Sequence, residues 1–158
     1  MKRLHVAAGI LRDARDRVLV SERLADGPFD GLWEFPGGKI GAGETAAAAL
    51  GRELAEELGI EVTDHRPFMD LNHDYPDRAV RIEFFLVEAW HGKPAGREGQ
   101  RLRWVHITDL DHAELLPADA PVVEALREEL HAGRTGGRDA TKRIVTGGGD
   151  PQIAGWRT

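Results

Sequence analysis

An α+β sandwich, with helices packed on a sheet, is the fold this sequence predicts, and three observations predict it. Strand-like and helical runs follow one another as strands, helix, strands, helix, the order of a layered α+β domain. Leu50, Leu54 and Leu58 recur every fourth residue between Thr45 and Gly59, the buried stripe of an amphipathic helix. Val80–Trp90 alternates Val80, Ile82, Phe84 and Leu86 against Arg81, Glu83, Phe85 and Val87, an imperfect strand period.

Taken in order, Leu4–Leu11 reads as a buried strand and Val18–Val20 as its hairpin partner across the polar turn Asp13–Arg17. Ala25–Gly31 has loop composition, and Leu32–Phe35 is a short strand running into a glycine-rich loop with Gly37, Gly38, Gly41 and Gly43. Thr45 is placed to cap the first helix through its hydroxyl, and the run Ala46–Ala49 favours helix. Gly59 then stops it in a left-handed turn, with Ile60 folding back on the last turn. Arg66–Asn72 follows as a strand, Tyr75–Asp77 as a turn, Val80–Trp90 as the longest strand and Leu102–Ile107 as another. Ala120–His131 is the second helix, with Pro121 in its first turn and Val123, Leu126 and Leu130 on its apolar stripe.

With 158 residues, 41% hydrophobic and 30% charged, the chain is sized for one domain able to bury its own core. That domain is expected to span residues 1–132, with 133–158 as a flexible extension rich in Gly, Thr and charge. The absence of cysteine excludes disulfides and thiolate metal sites and suits a reducing cytoplasm. The N-terminal apolar run is short and ends in Arg12-Asp13, so it reads as a strand rather than a secretory signal, and no stretch is long enough for a membrane span. A net charge of −6 argues against a nucleic-acid polymer as partner. An acidic site can still take a small polyphosphate if a cation bridges the two sets of negative charge.

Glu53, Glu56 and Glu57 are spaced to share one helix face, near the negative end of the helix dipole. Repulsion and dipole both call for a cation there: Arg52 is one local candidate, and Mg²⁺ or Mn²⁺, which suit hard carboxylate oxygens, are the others. The whole segment resembles the box of the Nudix hydrolases. Gly38, five residues, Glu44, seven residues and then Arg52-Glu53-Leu54-Ala55-Glu56-Glu57-Leu58-Gly59-Ile60 fit that pattern throughout. Over roughly the first 130 residues the chain is similar to the MutT branch of that family, through WEFPGGKI at Trp33–Ile40, YPDR at Tyr75–Arg78 and GREGQ at Gly96–Gln100.

The resemblance implies an α/β/α sandwich with a mixed sheet and a Mg²⁺-dependent hydrolysis of nucleoside triphosphates, 8-oxo-dGTP foremost, to the monophosphate and pyrophosphate. It implies a metal shell of the Gly37 carbonyl, Glu53, Glu56, Glu57 and Glu98, with Glu53 and Glu98 as rival bases for the attacking water. It places Arg23 on substrate phosphates and Glu34, Phe35, Gly37, Gly38, Lys39 and Arg78 around the nucleotide. Phe35 and Tyr75 are equally readable as core, Lys39 as a solvated cation, and Glu44 as a support for Arg52. Trp33, Trp90 and Trp104 read as structural.

Asp119 stands where the MutT branch carries an asparagine that reads the modified guanine, and a CTP-hydrolysing relative shares its Pro-Ala-Asp segment. Capping of the helix that begins at Ala120 would by itself account for an aspartate here. The expectation is therefore a cytoplasmic enzyme, monomeric or weakly dimeric, acting on 8-oxo-dGTP. CTP or dCTP hydrolysis is the alternative, and a catalytically idle nucleotide-binding module is the reading from another class.

Overall fold

A computed structural model describes residues 3–24, 31–74, 79–135 and 143–147. The elements are β1 (Arg3–Leu11), β2 (Arg17–Glu22), β3 (Trp33–Glu34), β4 (Gly37–Lys39), α1 (Ala46–Leu58), β5 (Glu61–Asp74), β6 (Ala79–His91), β7 (Leu102–His106), α2 (Ala120–Thr135) and β8 (Arg143–Gly147). Two sheets form, of order β4-β1-β6-β5-β8 and β3-β2-β7. The larger is mixed, since β1 runs parallel to β6 and antiparallel to β4.

The side-chain alternation of β1 and β6 builds the layers. Val6, Ala8 and Ile10 join Ile82, Phe84 and Leu86 in a core completed by Val122, Val123 and Leu126 of α2. Ala7 and Leu11 face the other way, with Phe85 and Val87, and meet Leu50, Leu54 and Leu58 of α1. The sheet is covered on both faces, the α/β/α sandwich expected. This also explains the imperfect period of β6: its apolar residues serve two cores at once.

Edge pairing corrects the hairpin expected between β1 and β2. With β4 on one side and β6 on the other, β1 has no free edge for β2. A lone bridge, Arg12↔Val18, joins the two, and β2 instead opens the second sheet by pairing with β7 and β3. The expected domain limit also shifts. Helix α2 continues past 132 to Thr135, and residues 143–147 pair in parallel with Met69–His73 of β5, so this part of the expected extension belongs to the sheet. Its segment Arg-Ile-Val-Thr-Gly holds three β-branched residues in a row, a strand-favouring feature that a reading for helical or alternating period overlooks. Among the described residues no helix is long and apolar enough to cross a membrane.

Helix α1 begins and ends as its sequence dictates. The Thr45 hydroxyl accepts from the Ala48 amide at 3.1 Å. Gly59 sits at φ 72° and donates to the Ala55 carbonyl. Replacing Gly59 by Ala should cost about 1–2 kcal/mol, because an L-residue pays that much in the left-handed region, and a Cβ there would collide with the Arg97 guanidinium. A lowered urea midpoint with an unchanged slope is the expected result.

Candidate active site

The site begins where backbone touches backbone. A Cβ on Gly37 would collide with the β1 backbone at Ala7 and Ala8, so only glycine lets β4 lie this close. A Cβ on Gly38 would lie 2.5–2.6 Å from the carboxyl atoms of Glu53. The Glu53 carboxylate therefore rests directly over the backbone of β4, as α1 packs tightly against β1.

Arg52 organises the acids around that contact. It donates to the two Glu44 oxygens at 2.8 and 2.9 Å, to Glu53 at 2.9 Å and to the Lys39 carbonyl at 3.0 Å. Glu56 lies 3.6 Å from it, largely in solvent. Glu44 has the supporting role anticipated for it: the Arg52 guanidinium, and then the Gly41 amide, hold its carboxyl down at about 2. The same carboxylates hold the Arg52 proton more firmly than in free arginine.

Glu57 is buried, and its backbone carbonyl accepts from the Arg97 amide and from the Gln100 side chain, both at 3.0 Å. Ala95 donates to the Leu58 carbonyl in the same way. Loop 95–100 thus supplies the donors that the last turn of α1 lacks. Gln100 also accepts from the Glu98 amide at 2.9 Å, which fixes exposed Glu98 on a loop stitched to the helix end beside Glu57. The sequence gives Gln100 no such role; its signal there is its place at the end of the GREGQ segment, after Gly99.

Glu53, Glu57 and the Glu98 loop are therefore brought to one end of α1, with the β4 backbone under Glu53. The donor chemistry, carboxylates beside a glycine carbonyl, fits a hard divalent cation. The acids are not drawn into a closed cage: among the described residues no three Asp, Glu or His side chains gather tightly enough to enclose an ion. The physical reason is mutual repulsion, met here by Arg52, which takes Glu53 and draws on Glu56. An open depression of about 520 Å³ lined by Gly41–Thr45, Ala48 and Arg52 lies at the opposite, N-terminal end of the helix.

A second cluster lies under β3. Trp33 donates to the Glu114 carbonyl and accepts from the Leu116 amide, tying β3 to the turn Pro117–Asp119 that leads into α2. Through that tie Asp119 comes to rest near Glu34 and Phe35. Asp119 is wholly buried, and neither carboxyl oxygen has a hydrogen-bond partner of full geometry. The capping role open to it in the sequence is thus not filled. Burial first, and the charge of Glu34 second, push its carboxyl well above the ordinary carboxylate range. The Phe35 amide and the Arg23 charge pull the other way and do not offset this.

Arg23, expected on phosphate, is instead buried against Glu34 at 3.2 Å, each side chain only 4% exposed. Phe35 is core, edge-on to Phe84 at 6.3 Å, so only its backbone is available to a ligand. Lys39 is half-buried on β4. Trp90 stacks on Trp104 at 6.1 Å, and Trp33 lies 4.4 Å from the Arg103 guanidinium, structural roles as expected. Arg78, with Tyr75 and Asp77, lies outside the described residues.

A two-faced sandwich with a glycine-backed glutamate helix is the architecture of a Nudix hydrolase. The chain belongs to the Nudix family: the NUDIX domain model matches residues 1–126. It is 40% identical over 127 residues to the 8-oxo-dGTP diphosphatase of Escherichia coli, covering 80% of this chain and 98% of that one. It is 36% identical over 126 residues to the CTP pyrophosphohydrolase of the same organism, covering 79% and 92%. Among solved structures, that of the Escherichia coli ORF135 protein superposes with a TM-score of 0.75 at 34% identity, over 87% of this chain and 96% of that one. Nudix hydrolases generally depend on a divalent metal.

The raised Asp119 sets a stability test. Its folded-state affinity for a proton exceeds that of the unfolded chain. Its contribution is therefore fully present below about pH 4, the unfolded value, and is lost as pH rises toward the folded one. The urea midpoint of the wild type should carry a downward component above about pH 4 that Asp119→Asn lacks. Parallel pH profiles for the two proteins would mean that Asp119 is ionised in its pocket.

Proposed function

We propose that the protein is a Mg²⁺-dependent nucleoside triphosphate pyrophosphohydrolase that converts 8-oxo-dGTP and water to 8-oxo-dGMP and pyrophosphate in the cytoplasm. The observation that carries the reading is the Nudix box, complete at every glutamate and supported by the packing of Gly38 beneath Glu53. The names of the relatives support the nucleotide substrate. An idle binding module has no use for a full set of acids at one helix end.

In this reading the Gly37 carbonyl, Glu53, Glu56, Glu57 and Glu98 hold the metal. Bound there, Mg²⁺ supplies charge neutralisation on the phosphates and orientation for the water. Glu53 is positioned as base by Gly38 below and Arg52 beside it; Glu98 competes for the role from a loop pinned by Gln100. Either acid takes one proton from the water as its oxygen bonds to phosphorus and the phosphoanhydride bond breaks. Lys39, half-buried on β4, is assigned to the nucleotide, as is Arg78 on the resemblance alone. Glu57→Gln should leave the fold intact and lower kcat by at least ~10²-fold, the scale of losing one strong electrostatic stabiliser. Near-full turnover at saturating Mg²⁺ would remove Glu57 from the ligand set.

The base is read at Asp119, with Arg23, Glu34 and the Phe35 backbone behind it. 8-oxo-guanine presents the O6 acceptor beside an N7–H donor. A neutral carboxylic acid meets both, its O–H donating to O6 and its carbonyl oxygen accepting from N7–H, as an amide would; an ionised aspartate only accepts. Burial, and then the charge of Glu34, favour the neutral form of Asp119, which supports 8-oxo-dGTP. Ionised Asp119 would suit the N4 amino group of cytosine instead, and that sustains the CTP or dCTP reading. A panel of 8-oxo-dGTP, dGTP, CTP and 5-methyl-dCTP across pH decides between them. The expected outcome is a kcat/KM for 8-oxo-dGTP that falls as pH rises through the raised Asp119 value, a component removed in Asp119→Asn. Preference for CTP at every pH would overturn the proposed substrate.

A further inference from the structure

Among the described residues, strand β5 has one edge paired to β6 along its length and the other paired only at Met69–His73, by β8. An open strand edge is a template for a second chain, and proteins protect such edges with bulges, proline and charge. The first half of β5 carries that protection. Its register against β6 breaks between Val62 and Asp64, between Asp64 and His65, and between Pro67 and Met69. Pro67 lacks an amide hydrogen, and Glu61, Asp64 and Arg66 add charge.

The second half lacks the bulges and the proline and keeps only the charges of Asp70 and Asp74. From Met69 to Asp74 the register with β6 is unbroken and the segment contains no proline. This regular segment is where β8 lies. The NUDIX match ends at residue 126, so β8 lies beyond the matched domain.

We propose that residues 143–147 are an edge guard, and that removing them opens Met69–His73 to antiparallel strand addition by a second copy of this chain. The segment is self-complementary about Leu71. A two-fold pairing there sets Leu71 against Leu71, Asp70 against Asn72 and Met69 against His73, with no like charges opposed. The Asp70 charge is already met by Arg81, at 2.6 and 2.9 Å. A closed dimer is the outcome of such a two-fold contact, because the same segment is used up on both copies.

Two variants test this: a chain ending at Thr135, and the full chain with Ile144→Pro and Val145→Pro together. Successive strand amides point to opposite sides, so the paired prolines delete at least one amide facing β5. Mass by light scattering after sizing, circular dichroism, and amide exchange at 69–73 are read for both and for wild type. The expected result is a folded monomer for wild type and a doubled mass for both variants. Residues 69–73 should stay protected in the dimer, and a synthetic peptide of residues 141–149 should return both variants to monomer. Variants that remain monomeric overturn the proposal, as does a dimer that the peptide does not dissolve or a wild type already of doubled mass.

Discussion

The close approach of β4 to β1 and of α1 to β4, possible only without side chains at Gly37 and Gly38, is the constraint the site rests on. With a Cβ at either position, β4 would have to leave β1 or Glu53 would have to swing away. Because neither happens, Arg52 on the same helix reaches the Lys39 carbonyl and ties loop, strand and helix into one unit. Leu50 and Leu54 complete the contact from the apolar side: the methyl carbons of Leu54 and Leu50 sit 2.9 and 3.1 Å from where a Cβ on Gly9 would stand. Burying each such leucine contributes about 1.5–3 kcal/mol, enough to hold acids where repulsion would drive them apart.

Two acid clusters are handled in different ways because their surroundings differ. At the end of α1 Glu53 and Glu56 meet Arg52 and Glu56 lies largely in solvent, so charge can stay and be balanced by cations. Under β3 no water reaches Asp119, and Arg23 is already matched to Glu34. A second ionised carboxylate would leave an uncompensated buried charge, and a buried group commonly neutralises rather than carry that cost. Aspartate at 119 therefore presents to a ligand the donor–acceptor pair of an amide, but only while it holds its proton.

Much of this was legible in the sequence where one residue type does one job. Thr45, Gly59 and the leucine stripe of α1 each state their role locally, and the structure keeps all three. The box glutamates were legible as a set, while their present arrangement was not, since it depends on which cation, Arg52 or a metal, each acid meets. Burial was the hidden variable elsewhere. Arg23 reads as a phosphate-binding surface cation until β3 closes over it, and Asp119 reads as a cap until Trp33 pulls its turn beneath the strand. The separation of β1 from β2 was hidden because strand length and polarity show a turn, but not which edges other strands have taken. Strand β8 escaped because a five-residue edge strand needs no amphipathic period.

The loop that closes the C-terminal end of α1 links stability to chemistry. A helix end leaves carbonyls unpaired, and here Ala95, Arg97 and Gln100 supply the donors. Those bonds draw partial negative charge out of the very end where Glu56 and Glu57 stand, easing the dipole's opposition to them. The same bonds set the path of the loop, and Gln100, accepting from the Glu98 amide, fixes Glu98 within it. One set of hydrogen bonds thus terminates the helix, lowers the cost of its acids and brings a distant fourth acid to them. Positions 96 to 100 are therefore under two demands at once. Gly96 must stay small because a Cβ would collide with the Gln100 backbone, and Gln100 must carry both a donor and an acceptor. No shorter side chain offers that pair at the same reach: asparagine has the groups and lacks the length, and glutamate has the length and, ionised, lacks the donor.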